Sequence, residues 1–151
     1  MIVKNLDLKK NLKGNKNFLL HGINSGLINQ TIDDTLKPNF SKNIYNYDEQ
    51  EILSNSDQFK EDVFNKSFFE EDKLIIINRA SDKIKNILEE IIEKQIDDLT
   101  LIVKSGILDK KSKLRIFFEK EKNLVSVAFY LDNNQTLASL VSYSFKKLSK
   151  P

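Results

Sequence analysis

Lys73-Leu74-Ile75-Ile76-Ile77-Asn78 is the stretch on which the fold turns. Four consecutive apolar residues, three of them β-branched, are bounded by a lysine and an asparagine. Such a run is too short for a helix and is apolar on both faces, which is the pattern of a strand buried in a parallel sheet. Just before it stands Asn65-Lys66-Ser67-Phe68-Phe69-Glu70-Glu71-Asp72, two adjacent aromatics in a polar setting. Two readings of Phe68 and Phe69 stay open. Phe64 and Phe68 stand at i, i+4 spacing and can extend a buried helical stripe. Ser67 and the acids Glu70, Glu71 and Asp72 instead suggest an exposed turn, and an exposed aromatic pair fits the pocket of a partner.

Working outward, strand-like and helix-like segments alternate. Phe18-Leu19-Leu20 is a short strand ending at Gly22. Asn24 and Ser25 can cap a helix from about Leu27 to Leu36, stopped by Pro38. Lys42 to Tyr47 is a weaker strand, and Ile52 to Phe64 a helix with Phe59 and Val63 one turn apart. After Leu74–Ile77, the residues Ile84, Ile87, Leu88, Ile91 and Ile92 recur at helical spacing. Leu99 to Val103 is a fourth strand. Ser112 can cap a helix carrying Leu114, Phe117 and Phe118, and Val125 to Tyr130 is a fifth strand. Thr136 can cap a last helix through Leu137, Leu140, Val141 and Leu148. A β-α unit repeated five times predicts an α/β fold: a five-stranded parallel sheet with helices on both faces and right-handed connections. Ligands of such folds bind beyond the carboxyl ends of the strands. Those ends carry His21-Gly22, Asp48, Asn78-Arg79, Lys104-Ser105-Gly106 and Asp132-Asn133.

Composition narrows the chemistry. The chain has 151 residues, enough for one domain with a core, and a formal net charge of +2. That balance gives nucleic-acid binding no support by itself. Without cysteine, disulfides, zinc-thiolate sites and thiol catalysis are excluded, and His21 as sole histidine excludes a multi-histidine metal site. No apolar run reaches membrane-spanning length, and the first residues lack the features of a signal peptide, so the cytoplasm is the expected compartment.

The turn Leu20-His21-Gly22-Ile23-Asn24-Ser25-Gly26-Leu27-Ile28 lies where a P-loop would. A working P-loop is G-x-x-x-x-G-K-[ST], in which lysine reaches the phosphates and the hydroxyl holds magnesium. Counted from Gly22, the second glycine place is Leu27 and the lysine place Ile28. Ile28 cannot supply that charge, so an ordinary strand-turn-helix is favoured over nucleotide hydrolysis. The acids that a P-loop ATPase needs after a later strand are absent, since Ile77 is followed by Asn78-Arg79. A phosphoacceptor receiver domain fails for the same reason. His21 has no neighbouring carboxylate or nucleophile in sequence to make it a general base, so a structural or surface role is expected. Lys110, Lys111, Lys113 and Arg115 open the fourth helix against its dipole; they read as a solvated turn, or as contacts for phosphate or an acidic partner.

Three stretches together resemble the N-terminal part of the delta subunit of bacterial DNA polymerase III, the clamp-loader wrench. Phe18-Leu19-Leu20-His21-Gly22 with Gly26-Leu27 and a helix is similar to that family's degenerate P-loop turn. Ser67-Phe68-Phe69 before a buried strand is similar to its clamp-binding element, usually Ser-Leu-Phe. Leu101 to Gly106, then Leu114-Arg115, Phe117-Phe118-Glu119 and the strand ending in Tyr130, resembles its strand-helix-strand block. The resemblance implies an AAA+-like domain over residues 1–134 without ATPase activity or cofactor, its degenerate P-loop marked by Gly22, Gly26, Leu27 and Ile28. It implies that Ser67, Phe68 and Phe69 insert into a pocket of the ring-shaped sliding clamp, with Phe68 in place of leucine. Further implied partners are the other clamp-loader subunits and primed DNA within the assembly. Residues 135–151 would be a helix beginning a second, helical domain, as in a truncated chain. The competing expectation, from the strand ends alone, is a small-molecule-binding or enzymatic domain with a pocket lined by His21, Asn24 and Asn78.

Overall fold

A computed structural model describes residues 1–39, 43–69 and 72–130, with the backbone alone at residue 39 and residues 66–69. The expected last helix from Thr136 lies outside the described residues. Five strands, β1 Asn17–Gly22, β2 Ile44–Asp48, β3 Lys73–Asn78, β4 Leu99–Ser105 and β5 Leu124–Phe129, form one sheet in the order β2-β3-β4-β1-β5. Every pairing is parallel, as the apolar runs predict. β1, β3, β4 and β5 are buried on both faces, and Leu19, Leu20, Leu74 and Ile77 are fully inaccessible.

The helices are α1 Ser25–Thr31, α2 Glu49–Ser54, α3 Ser56–Phe69, α4 Lys85–Glu93 and α5 Lys113–Lys120. Ile28 of α1 and Ile32 and Leu36 of the π-turn that follows it cover one face of the sheet, joined by Val3 and by Leu8 of a 3-10 segment, Asn5–Asn11. Ile52, Phe59, Val63, Leu88, Leu114 and Phe118, from α2 to α5, cover the other. α1 carries the chain from β1 past β4 and β3 to the edge, and the remaining helices bring it back on the opposite face. Opposite directions on opposite faces give all crossovers one hand.

Local chemistry sets the boundaries. Asn24 accepts the Leu27 N–H at 3.2 Å and caps α1. Ser112 Oγ accepts the Arg115 N–H at 3.2 Å and caps α5. The helix expected over Ile52 to Phe64 is two helices. The first starts earlier, because Asp48 and Glu51 form a capping box. It breaks at Asn55, which leaves helical geometry at φ −149°, ψ 64°. α3 then runs on through Phe69, so the backbone of Ser67, Phe68 and Phe69 is its last turn rather than a turn beyond it. Asp72 follows at φ 47°, a left-handed residue at the entry to β3.

One close approach ties β1 to its neighbour β5. Gly22 ends β1 at φ 134°, and a Cβ there would lie 2.2 Å from the Phe129 carbonyl oxygen of β5. Gly26, in the first turn of α1, has nothing nearer a Cβ than the Asn24 side chain at 3.9 Å. The two glycines therefore respond oppositely. Gly22→Ala loses at least about 3 kcal/mol in urea melts, through backbone strain and a clash with main chain. Gly26→Ala stays within about 1 kcal/mol of wild type, on the stabilising side, because alanine is the better helix former. Equal loss at both positions would contradict this account.

Candidate functional site

The helices after β1 and β4 go to opposite faces, so the crevice between the carboxyl ends of these neighbouring strands is the topological switch point. A phosphate there would need free backbone N–H groups. Instead the Gly22 N–H donates to the Gly106 carbonyl at 3.0 Å, across that crevice. The Asn24 N–H donates to Phe129 O at 3.3 Å, the Ser25 N–H to Ile23 O at 3.1 Å, and the Leu27 N–H to the Asn24 side chain. Ile28 is 3% exposed, an apolar core residue of the α1 face where a P-loop would place its lysine. The turn holding Gly22, Gly26, Leu27 and Ile28 thus spends these donors on its own fold.

The rest of the carboxyl edge is stitched in the same way. The Ala80 N–H donates to Lys104 O at 2.8 Å. Arg79, left-handed at φ 56°, pairs with Asp48 at 2.5 Å. Glu49 is buried and accepts the Ser81 N–H at 2.7 Å and the Ser81 hydroxyl at 2.9 Å. Asp82 accepts the Ser112 hydroxyl at 2.5 Å and the Leu114 N–H at 3.0 Å. These bonds, the Ser112 hydroxyl first, hold its carboxyl below the usual range. The amino end of α5 is therefore occupied by a carboxylate from the β3–α4 loop. That carboxylate also faces Lys113, one of the cations that oppose the helix dipole. Arg115 turns away to Glu119, at 2.9 Å, and to the Leu108 carbonyl.

His21, Asn24 and Asn78 do not line a common pocket. His21 is 1% exposed, on the α5 face between Ser105 of β4 and Ala128 of β5. Asn24 serves as a helix cap. Asn78 lies two strands from β1, where its amide donates to Tyr47 O and it lines a shallow depression with Asp48, Glu51 and Arg79. The small-molecule reading loses the geometry it required.

His21 belongs to a buried polar group. Its Nε2 is 3.4 Å from Ser126 Oγ, and its ring meets Tyr130 edge-on at 6.4 Å. Among the described residues, His21 Nδ1 and Ser105 Oγ have no hydrogen-bond partner. The imidazole pKa is lowered from 6.5 to about 4, chiefly by burial and in smaller part by Arg115, with Glu119 opposing. Of the two roles expected for this histidine, structural or surface, its burial leaves the structural one.

The clamp-binding residues expected from the sequence, Ser67, Phe68 and Phe69, are placed by backbone alone. They end α3 at the amino edge of the sheet, beside the start of β3 and away from the carboxyl edge. Lys73 gave no functional signal in the sequence, yet it is fully buried, its Nζ donating to the Val63 carbonyl of this helix at 3.4 Å. Among the described residues no cluster of three or more histidines or acids could hold a metal ion, and no helix is long and apolar enough to cross a membrane.

The buried imidazole yields a pH prediction. Its folded pKa lies below the unfolded one, so the unfolded chain binds more protons between about pH 4 and 6.5. Stability therefore falls as pH drops through that window, by about 3 kcal/mol in all. His21→Leu should flatten the urea-melt stability profile between pH 6.5 and 4.5. An unchanged slope would show that other groups carry it.

Comparison with curated proteins found no match. The sequence model of the family described as DNA polymerase III, delta subunit, matches residues 12–128, from the 3-10 segment's end through β5. That match covers most of the chain, including the parallel sheet, the β1–α1 turn and Ser67-Phe68-Phe69, and the chain belongs to the DNA polymerase III delta subunit family.

Proposed function

We propose that this chain is the sliding-clamp-binding part of a clamp loader, acting in DNA replication by contact rather than by chemistry. The observation that carries the reading is the family match over residues 12–128, with Ser67-Phe68-Phe69 inside it at the end of α3. Phe68 and Phe69 fill a pocket on the clamp, and Ser67 precedes them as in the family's element. An aromatic anchor in a desolvated pocket supplies most of the energy of such an interface, and the surrounding charges little. The clamp ring is favoured open only to the extent that the domain binds the open form more tightly than the closed one.

The domain is AAA+-like with a degenerate P-loop. The commitment of the Gly22, Asn24, Ser25 and Leu27 N–H groups to protein acceptors supports this, as does the burial of Ile28. ATP hydrolysis belongs to other subunits of the loader, and primed DNA is met within the assembly. The compartment is the bacterial cytoplasm. Residues 1–134 form the clamp-binding domain, and 135–151 begin the helical domain that follows.

Two measurements test this reading. Titration of a bacterial sliding clamp with Phe68→Ala or Phe69→Ala should show a loss of about 2 kcal/mol or more, against far smaller effects at Lys66 or Glu70. Urea melts of the same variants separate interface from core: truncating a core phenylalanine costs about 3–5 kcal/mol of folding stability, and a partner-facing one little. A variant that melts easily, or that still binds with unchanged affinity, overturns the assignment. The second measurement is equilibrium binding of a fluorescent ATP analogue with magnesium. No saturable binding is expected at micromolar concentration, because nothing at Ile28 compensates phosphate charge. Saturation that is lost on changing Gly26 would reverse that conclusion.

A further inference from the structure

Lys104, near the carboxyl end of β4, is half-buried, and among the described residues its ammonium makes no hydrogen bond and no ion pair. It stands two residues beyond Ile102, so its side chain shares the α1 face of the sheet. There it lines a cavity of about 270 Å³. Ile76 and Asn46, partners in register on β3 and β2, form one side of this cavity. Asn29, Asp33 and Lys37, which follow one another at i, i+4 spacing along α1 and the π-turn, form the other. None of residues 22–28 lines it, so it is distinct from the β1–α1 turn.

Two ammonium groups on one small cavity repel each other and call for negative charge between them. Asp33 meets only part of that need. Its carboxylate pairs with Lys37 at 3.1 Å and leaves Lys104 without a partner. Burial first, and then the charge of Lys37, hold the Lys104 ammonium below the usual lysine range, with Asp33 opposing. The side-chain amides of Asn29 and Asn46 add N–H donors to the same wall. Two cations and two amides match an anion with three or four acceptor oxygens better than a carboxylate with two. The volume is below that of sites for drug-sized ligands and suits one such group. Asn29, Asp33 and Asn46 are exposed, so the cavity is open to water and the group can belong to a larger molecule.

From this geometry we infer that the cavity between α1 and the β2–β3–β4 side of the sheet is a phosphate-binding site: Lys104 and Lys37 meet the charge of one phosphate group, and the Asn29 and Asn46 amides donate to its other oxygens. The group is a free phosphate or a backbone phosphate of nucleic acid, which present the same anionic oxygens. Asp33 tunes the site, because it holds Lys37 in place and also competes with the phosphate for it. The site lies toward the carboxyl edge, whereas the end of α3 lies at the amino edge, so the inference does not depend on the clamp contact.

The test is titration of the full chain with inorganic phosphate in roughly 0.1 M sodium chloride, where distant charges are screened. Amide shifts are read for backbone and side chains. Saturable shifts are expected at Asn29, Asp33, Asn46 and Lys104. Lys104→Met, which keeps the length and removes the charge, should weaken binding about tenfold or more, the scale of one charge-assisted hydrogen bond. Lys94→Met, the same change of charge at the end of α4 on the opposite face, should stay within about twofold of wild type. Asp33→Asn should tighten binding, and Asp34→Asn, outside the cavity, should do so far less. Phosphate should raise the urea midpoint of wild type and not that of Lys104→Met. A primed DNA hairpin titrated in parallel identifies the source. Shifts at the same residues that free phosphate reverses and Lys104→Met weakens assign the group to a nucleic-acid backbone; no shift there assigns it to free phosphate. Absence of saturation with either ligand, equal weakening in Lys104→Met and Lys94→Met, or a phosphate-dependent midpoint that survives in Lys104→Met overturns the inference.

Discussion

The molecule depends on how β1 is held between β4 and β5. This interior strand is buried on both faces, and its last residue presses against the Phe129 main chain so closely that no side chain fits. Gly22 satisfies that contact with a left-handed φ, and its N–H crosses to Gly106 on the other side. One residue thus joins three strands at the carboxyl edge. In a nucleotide-binding turn a glycine lets the backbone approach a phosphate. Here glycine lets backbone approach backbone, and the donors that could have met an anion are used in the contact.

The same economy runs along the whole carboxyl edge. Asp82 takes the amino end of α5, Glu49 takes Ser81, and Asp48 takes Arg79. Each of these loops is bonded to its neighbour. Even His21, the residue best suited to proton transfer, is sealed among Ser105, Ser126 and Tyr130 and held neutral by burial. A sheet tied off in this way suits a rigid platform whose work lies at another surface. That is the division of labour the proposed function requires: chemistry in other subunits, contact in this one.

Much of this was legible in the sequence, for physical reasons. Runs such as Leu74–Ile77 are apolar because both sheet faces are covered, so strand and class could be read together. Asn24 and Ser112 were read as caps and act as caps. The break at Asn55 was missed because the Ile52, Phe59, Val63 spacing crosses it without a change of period, although Asp48-x-x-Glu51 carried a capping signal. The end of α3 was placed early, at Phe64, because Ser67 and the acids after Phe69 favour a turn locally; the helix continues through Ser67 to Phe69. The 3-10 segment Asn5–Asn11 escaped notice, since a single buried residue, Leu8, shows no period. The commitment of the β1–α1 amides could not be read at all: their acceptors, Gly106 and Phe129, are distant in sequence.

Lys73 illustrates the limit of pattern reading. At the edge of an apolar run a lysine looks like the polar boundary of a strand, the residue that meets water. In the fold it is fully buried, because α3 passes above it and the Val63 carbonyl accepts from its Nζ at 3.4 Å. The sequence pattern Phe-Phe, three acids, Lys, then an apolar strand therefore has two readings that differ in energy rather than in composition. With the ammonium inside, the middle of α3 and the first residue of β3 are joined by a hydrogen bond that no spacing in the sequence announces.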